Sequence, residues 1–207
     1  LRNSPDTGTV ITVHAAFNQM QKDATMQAAT MAGLGNVALM QEPVAAVMSV
    51  MRARNADGIF LIYDLGGGTL DIAIAQSIGG RVSLLAHSGI AICGGRDFDR
   101  VLMDNIVLPW LFEKFELPEN LSGDPEFKPL MRLATWATER AKIELSARPD
   151  CVINLDSQFK DRNGDEIYLD IPLSRDTYDK LIAERVNESI ESARETLKKA
   201  GLTSHDL

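Results

Sequence analysis

The feature of this sequence that most restricts its fold is a run of three glycines between two short apolar segments. The run lies within residues 64–71, which read Asp-Leu-Gly-Gly-Gly-Thr-Leu-Asp. The flanking segments, 59–63 and 72–75, have the length and the Ile-rich composition of β-strands. Because glycine has no Cβ, such a turn can bring its backbone N–H groups close to a ligand. The pattern therefore predicts a strand–turn–strand site for an anion.

The polar side chains around the glycines suggest which anion. The carboxylates of Asp64 and Asp71 and the hydroxyl of Thr69 suit a hydrated cation that bridges phosphates. A Walker loop or a dinucleotide fingerprint would continue into a helix, whereas a strand follows here. Taken alone, a triple glycine between strands is about as often a tight hairpin or a bulge.

Composition narrows the possible partners. The chain has 207 residues, 45% of them hydrophobic, which is enough for a core in one domain or in two small ones. Its 21 basic and 29 acidic residues give a net charge of −8, which argues against a nucleic-acid or anionic-membrane surface. No apolar run reaches the roughly 20 residues that span a bilayer.

Cys93 and Cys151 lie far apart in the sequence, so we expect reduced, structural thiols.

Hydrophobic periodicity and turn residues predict a β-α-β-α unit, an antiparallel meander, and then helices around a hairpin. The predicted strands are 10–13, 37–40, 59–63, 70–76, 82–86, 151–159 and 166–171. The predicted helices are 17–32, 43–54, one opened by Gly94-Gly95, 129–146 and a long one from Ser174 to Gly201. Pro109 should kink or end the third helix. Backbone donors at Gly94-Gly95 form a second possible anion site.

Five segments of the chain, taken in order, resemble the nucleotide-binding domain of the DnaK-type heat-shock chaperones. They are 10–18, the Glu-Pro-Val-Ala-Ala of 42–46, the glycine segment 64–71, the Gly-Gly-Arg-Asp-Phe-Asp of 94–99 and the Glu-Arg-Ala-Lys-Ile-Glu-Leu-Ser of 139–146. Each is only moderately specific, but all five occur in register over nearly the whole chain. Leu70 stands where that family usually has phenylalanine.

The resemblance implies roles for particular residues. Glu42 would order a water near the γ-phosphate, Asp64 would hold Mg²⁺ through water, and Asp71 would bind a monovalent cation such as K⁺. The resemblance also implies direct contacts to ATP or ADP. Thr69 would contact the γ-phosphate, and the phosphates would be bound by Gly66, Gly67, Gly68, Gly94 and Gly95. Ribose and adenine would be held by Glu139, Lys142 and Ser146.

The residues themselves allow simpler interpretations. Glu139 and Lys142 alone are more often a solvated surface pair, although with Ser146 they share one helix face and can converge on one ligand. Glu42 before Pro43 alone is a carboxylate favoured by the helix dipole. Only the joint pattern favours the site.

The implied fold is an α/β, actin-like ATPase or ribonuclease H-like fold, incomplete, with an inserted α+β subdomain. Residues 1–55 would belong to the first lobe, 56–95 and 187–207 to the second-lobe core, and 96–186 to the inserted subdomain. The implied function is that of a partial ATP-binding domain, whose parent is a cytoplasmic ATPase that switches a protein-binding domain for client proteins and co-chaperones. Because the first phosphate loop, the catalytic lysine and the last adenine loop would lie outside this chain, we expect the piece alone to be inactive.

Two residues depart from the family pattern. His14 stands where proline is usual and Lys22 where arginine is usual, and in the chaperones that pair is thought to couple nucleotide state to the substrate domain. The departures favour a divergent homologue. Two alternatives stay open: another actin-like ATPase such as a sugar kinase, and a non-hydrolysing scaffold, either actin-like or a degenerate chaperone homologue. A packed histidine is the simplest interpretation of His14.

Overall fold

The structure is a computed structural model that describes residues 8–54 and 57–207. The chain forms two compact units. One contains the described residues up to Leu65 together with Thr69–Ala91 and Ser189–Leu207; the other contains Gly66–Gly68 and Ile92–Glu188. The predicted boundary between residues 55 and 56 falls outside the described residues. The division into lobes and an inserted subdomain stays a prediction.

The first unit begins with the predicted β-α-β-α arrangement. Strand β1 (Thr9–Val13) pairs in parallel with β2 (Val37–Gln41), and helix α1 (Gln19–Met31) connects them. Asn18 caps α1: its side chain accepts from the Gln21 amide while the Gln21 side chain accepts from the Asn18 amide. Helix α2 (Glu42–Arg54) follows β2 without a break.

The meander of the first unit is an antiparallel sheet in the order β3–β4–β5. Its strands are β3 (Gly58–Leu65), β4 (Thr69–Ile78) and β5 (Arg81–Ala91), each longer than the sequence predicts. The central strand β4 is almost entirely buried from Leu70 to Ala75, because it pairs on both sides. The sheet thus holds the strand ends that flank the three glycines.

The second unit contains the helices predicted after Gly94-Gly95. Helix α3 (Gly95–Leu102) runs into a π-helical segment (Met103–Val107) and then into α4 (Leu108–Lys114). Pro109 sits in the first turn of α4, where its missing N–H has no helical partner to lose. The helix therefore does not end at Pro109; the distortion occurs in the π segment before it.

Helix α5 (Lys128–Glu144) and the hairpin of β6 (Asp150–Lys160) and β7 (Glu166–Ser174) complete the core of the second unit. Inward side chains alternate strictly along both strands, and they pack against the buried face of α5 through residues such as Leu130, Ile153 and Ile167. The long helix α6 (Arg175–Lys199) follows, with Ser174 Oγ accepting from the Thr177 amide at 3.1 Å.

The last part of α6 belongs to the first unit and meets its sheet through hydroxyl groups. Ser88 Oγ lies 3.0 Å from Ser192 Oγ and 2.6 Å from Thr196 Oγ1. The Tyr63 hydroxyl donates to Ser189 Oγ at 2.5 Å. These hydrogen bonds satisfy buried polar groups, which would otherwise destabilise the fold. No helix among the described residues has the length and apolarity to cross a bilayer.

Candidate functional site: a glycine turn and an acid cavity

The glycine turn, Gly66–Gly68, is fixed by hydrogen bonds from the segment 92–96 of the same unit. The Gly95 amide donates to Gly66 O at 2.9 Å and the Arg96 amide to Gly67 O at 2.8 Å. The Ile92 amide donates to Gly68 O at 3.1 Å. All three glycine carbonyls are therefore satisfied within the protein, so the turn is held in place without side chains of its own.

This docking determines where the amides of the turn point. In a trans peptide the C=O and the following N–H point in opposite directions, and the described chain has no cis peptide. Since Gly66 O and Gly67 O face the start of α3, the N–H groups of Gly67 and Gly68 face away from it. Two adjacent amides directed the same way are the donors that an anion-binding turn needs.

Gly94 is required here because of contact rather than conformation. Its φ of −157° and ψ of −179° are extended values that any residue adopts. A Cβ on Gly94, however, would lie 2.4 Å from Gly68 N, 2.6 Å from Gly67 C and 2.7 Å from Gly66 O. All three atoms belong to the backbone, so no side chain can move aside. The glycine pair thus allows two backbone segments to touch.

The role predicted for Gly94-Gly95 therefore needs a qualification. The Gly95 amide, predicted as a phosphate donor, is occupied by Gly66 O in this structure. The pair serves first to dock the turn, and its direct contact with phosphate stays a prediction.

The residue before Cys93 and Gly94 has an unusual backbone. Ile92 has φ of 59°, in the left-handed region that β-branched residues rarely adopt. Its carbonyl accepts from Arg185 Nη1 at 2.7 Å, and its amide donates to Gly68 O. Bonds on both sides hold the strained residue, as is common where a loop must be placed accurately.

Lys142 lies behind the start of α3 rather than in solvent. Its ammonium donates to Gly95 O at 2.8 Å and pairs with Asp99 Oδ1 at 2.7 Å, and both side chains are largely buried. Burial raises the pKa of the Asp99 carboxyl, while the bond and the charge of Lys142 oppose that shift. An ammonium has three N–H donors, so one remains for a ligand.

The other two residues of the predicted adenosine set are exposed. Glu139 lies on α5 three residues before Lys142. The helix ends at Glu144, two residues earlier than predicted, so Ser146 lies in the turn that follows it. Its amide donates to Ile143 O at 3.1 Å. The structure leaves the joint role of Glu139, Lys142 and Ser146 a prediction.

The predicted acids lie together in the first unit. Asp64 on β3 is the direct cross-strand partner of Asp71 on β4. Like charges opposite each other destabilise a sheet, so this pair carries a cost that a bound cation would remove. Both carboxylates line one cavity, the acid cavity, together with Glu42 and with apolar side chains of the sheet and α2. The two aspartates thus share a hollow, and their roles as cation ligands stay predictions.

The acid cavity is small. Its volume is about 30 Å³, which accommodates one or two waters or a cation but no nucleotide. Among residues 8–54 and 57–207, no group of three or more His, Cys, Asp and Glu side chains has the geometry to hold a metal by itself. The oxygens present fit Mg²⁺, which ordinarily keeps several waters and binds one or two carboxylates plus substrate phosphates. Thr69, at the start of β4, is exposed.

His14 makes a contact that the sequence did not predict. Its Nε2 pairs with Asp71 Oδ1 in the first unit. Its Nδ1 accepts a hydrogen bond from the Ala16 amide at 3.1 Å, so a neutral imidazole with its proton on Nε2 can donate to the aspartate. Gly89, opposite Asp71 on β5, leaves room for this carboxylate, since a Cβ there would lie 3.1 Å from Asp71 Oδ1.

Sequence reasoning also missed Arg96, whose Nε lies 3.3 Å from Gly67 O. Two sequence features could have drawn attention to His14 and Arg96. His14 directly follows a predicted strand, and Arg96 directly follows the pair Gly94-Gly95. Neither position indicates which residue the side chain contacts in the folded chain.

Comparison with known proteins agrees with these features. The family model "Hsp70 protein" matches residues 3–207. The chaperone protein DnaK of Stenotrophomonas maltophilia (strain R551-3) is 36% identical over 207 residues, an alignment that covers 97% of this chain and 31% of that relative. The structure is mixed α/β with several sheets, which is consistent with the actin-like ATPase fold that the Hsp70 family implies. The chain belongs to the Hsp70 family, and it spans about a third of the length of this curated relative.

Proposed function

We propose that the protein to which this chain contributes binds Mg-ATP and hydrolyses it slowly, using the cycle to switch a protein-binding domain. The observation that carries the proposal is the glycine turn: its carbonyls are bonded to residues 92–96, which directs the amides of Gly67 and Gly68 away from those residues, as a phosphate-binding turn requires. Phosphoryl transfer depends mostly on positioning and on charge stabilisation, and oriented backbone donors supply both.

The acid cavity supports the proposed binding of cations and of a water near the phosphates. Asp64 would hold Mg²⁺ through water, and Asp71 would bind a monovalent cation such as K⁺. Bound Mg²⁺ supplies charge neutralisation at the phosphates. Glu42 would orient a water in the cavity, whose volume of about 30 Å³ suits that role. Thr69 would donate its hydroxyl to the terminal phosphate.

For the nucleoside of ATP or ADP, we propose Glu139, Lys142 and Ser146. The support is the fixed ammonium of Lys142, which two acceptors hold at the start of α3. Client proteins and co-chaperones are proposed as partners of the whole protein and cytoplasm as its location, with the DnaK relative as their support. We also propose the ribonuclease H-like division into a core and an inserted α+β subdomain, supported by the two compact units.

One observation favours a second candidate, a non-hydrolysing homologue that acts as a scaffold. The imidazole of His14 already satisfies one oxygen of Asp71, the residue proposed to bind the monovalent cation. If this contact persists with nucleotide bound, hydrolysis would be impaired. Single-turnover hydrolysis by the whole protein, with native His14 and with His14→Pro, separates the two candidates: turnover that appears only in the variant supports the scaffold.

The present chain provides a separate test by isothermal titration calorimetry with ATP. We expect weak binding and negligible turnover, because residues implied for the other side of the nucleotide are not in this chain. Micromolar affinity would contradict that expectation. Complete absence of a response at the glycine amides in an NMR titration with ATP would contradict the nucleotide site itself.

A further inference from the structure

Arg96 places a cation against the glycine turn within the second unit. Its backbone amide and its Nε both approach Gly67 O, at 2.8 and 3.3 Å. A Cβ on Gly67 would lie 3.5 Å from Arg96 Nε, and one on Gly68 would lie 3.2 Å from Arg96 Nη2. The guanidinium thus extends along the bare side of the turn, from the Gly67 carbonyl to the α-carbon of Gly68.

The charge of Arg96 is not used inside the described part of the chain. The side chain is exposed, and none of the ion pairs found within residues 8–54 and 57–207 includes it. A guanidinium has five N–H donors, of which the Nε donor faces Gly67 O. The Nη groups beside Gly68 are left for another acceptor.

We infer that Arg96 is a phosphate-binding residue, whose Nη groups present a charged, two-pronged donor beside Gly68 at the edge of the glycine turn. This inference rests on the proposed function, because it takes the ligand to be the phosphate group of a nucleotide. The chemistry fits: guanidinium pairs with phosphate through parallel N–H···O bonds that are about twice as strong as neutral ones. The chain, with a net charge of −8, thereby gains local positive potential where an anion must approach.

The test is an NMR titration of the ¹⁵N-labelled chain with pyrophosphate, read at the amides of Gly67 and Gly68. We expect Arg96→Gln to weaken binding about tenfold, and Arg96→Lys, which keeps the charge but loses the two-pronged donor, to weaken it by a smaller factor of about five. The matched control is Arg100→Gln, since Arg100 lies one turn further along α3, is 75% exposed and makes only a 3.9 Å contact with Asp104. That variant should bind as the native chain does.

Two results would overturn the inference. Equal affinity of Arg96→Gln and native chain would show that the guanidinium does not touch the ligand. Faster hydrogen exchange of the Gly95 and Ile92 amides, which donate to the turn, in ligand-free Arg96→Gln would show that the arginine instead shapes the turn. ADP is titrated in parallel: binding no tighter than that of pyrophosphate would count against the proposed nucleotide function alone. A native chain whose glycine amides ignore both ligands would contradict both proposals.

Discussion

The glycine turn and the acid cavity differ in the atoms from which they are built. The turn consists of backbone, held by carbonyl hydrogen bonds and by the direct contact of Gly94 with Gly66–Gly68. The cavity consists of side chains, with Asp64 and Asp71 extending from paired strands beside Glu42. Each lies in its own compact unit, so each can be altered and assessed separately.

The difference shows which substitutions each region tolerates. A backbone site in close contact fails when any atom is added, because neither segment can rotate away. A side-chain site keeps its shape when one polar group replaces another, since the sheet beneath it is unchanged. We therefore expect the turn to be sensitive to volume and the cavity to be sensitive to charge.

Gly94→Ala tests the turn and should have the largest effect. The new Cβ would be 2.4 to 2.7 Å from three backbone atoms, so either the turn or the start of α3 must shift. We expect the free energy of unfolding to fall by about 3 kcal/mol, as for severe overpacking. Urea denaturation followed by circular dichroism measures this loss.

Gly95→Ala is the matched control, because its Cβ would meet Lys142 Nζ at 3.5 Å and Gly66 O at 3.9 Å, both ordinary contacts. The thiol of Cys93 gives a second reading. Burial raises the pKa of this thiol, so it should react slowly with a disulfide reagent in the native chain and faster in Gly94→Ala. Similar stability of the two alanine variants would contradict a steric role for Gly94.

Lys142→Met tests the buried support of the turn. Removing the ammonium leaves Asp99 and Gly95 O without their partner, and we expect a loss of about 2 kcal/mol near neutral pH. The loss is smaller than for a fixed charge, because Asp99 can take up a proton. Burial raises the pKa of Asp99 in the folded state, so the folded state favours the protonated carboxyl. The stability that this protonation contributes is complete below the unfolded-state pKa and is lost as the pH rises through the folded-state pKa.

The deficit of Lys142→Met should therefore shrink as the pH is lowered, which denaturation at two pH values measures. Lys114→Met serves as control, since Lys114 is 48% exposed and only 4.0 Å from Glu113, so its removal should cost almost nothing. A deficit independent of pH would show that Asp99 does not titrate in response to the lysine.

Asp71→Asn tests the cavity and should have the smallest effect on folding. The amide oxygen can still accept from His14 Nε2, so we expect a change of about 1 kcal/mol or less in the free energy of unfolding. Removal of one of two facing charges offsets part of that cost. Urea denaturation measures the change in stability, and the ¹⁵N resonance of His14 Nε2 shows whether the contact with residue 71 is kept. If Asp71→Asn lowered the free energy of unfolding as much as Gly94→Ala does, the proposed difference in sensitivity between the turn and the cavity would be wrong.

Much of the local structure follows from the sequence because it depends on near neighbours. The three glycines, the alternation in β6 and β7 and the Asn163-Gly164 pair predict strands and turns from periodicity and turn chemistry alone. The shared hollow of Asp64 and Asp71 follows as well, because a symmetric turn places them opposite each other. Strand ends were less predictable, since β5 continues to Ala91 through pairing with β4.

Long-range contacts of individual side chains could not be predicted in this way. The contact of His14 with Asp71 joins positions far apart in sequence, and nothing local indicates it. The position of Lys142 behind Gly95, rather than in solvent, depends on how α5 packs against α3. The π segment Met103–Val107 before Pro109 is likewise not indicated by the hydrophobic periodicity of the sequence.

The three carbonyl bonds of the glycine turn also have a mechanical consequence. Because Gly66 O, Gly67 O and Gly68 O are tied to residues 92–96, the turn cannot be displaced without pulling on the first residues of α3. A force applied to the turn would pass through these short backbone connections into the start of α3. In this arrangement the glycine turn and the first residues of α3 move as one piece.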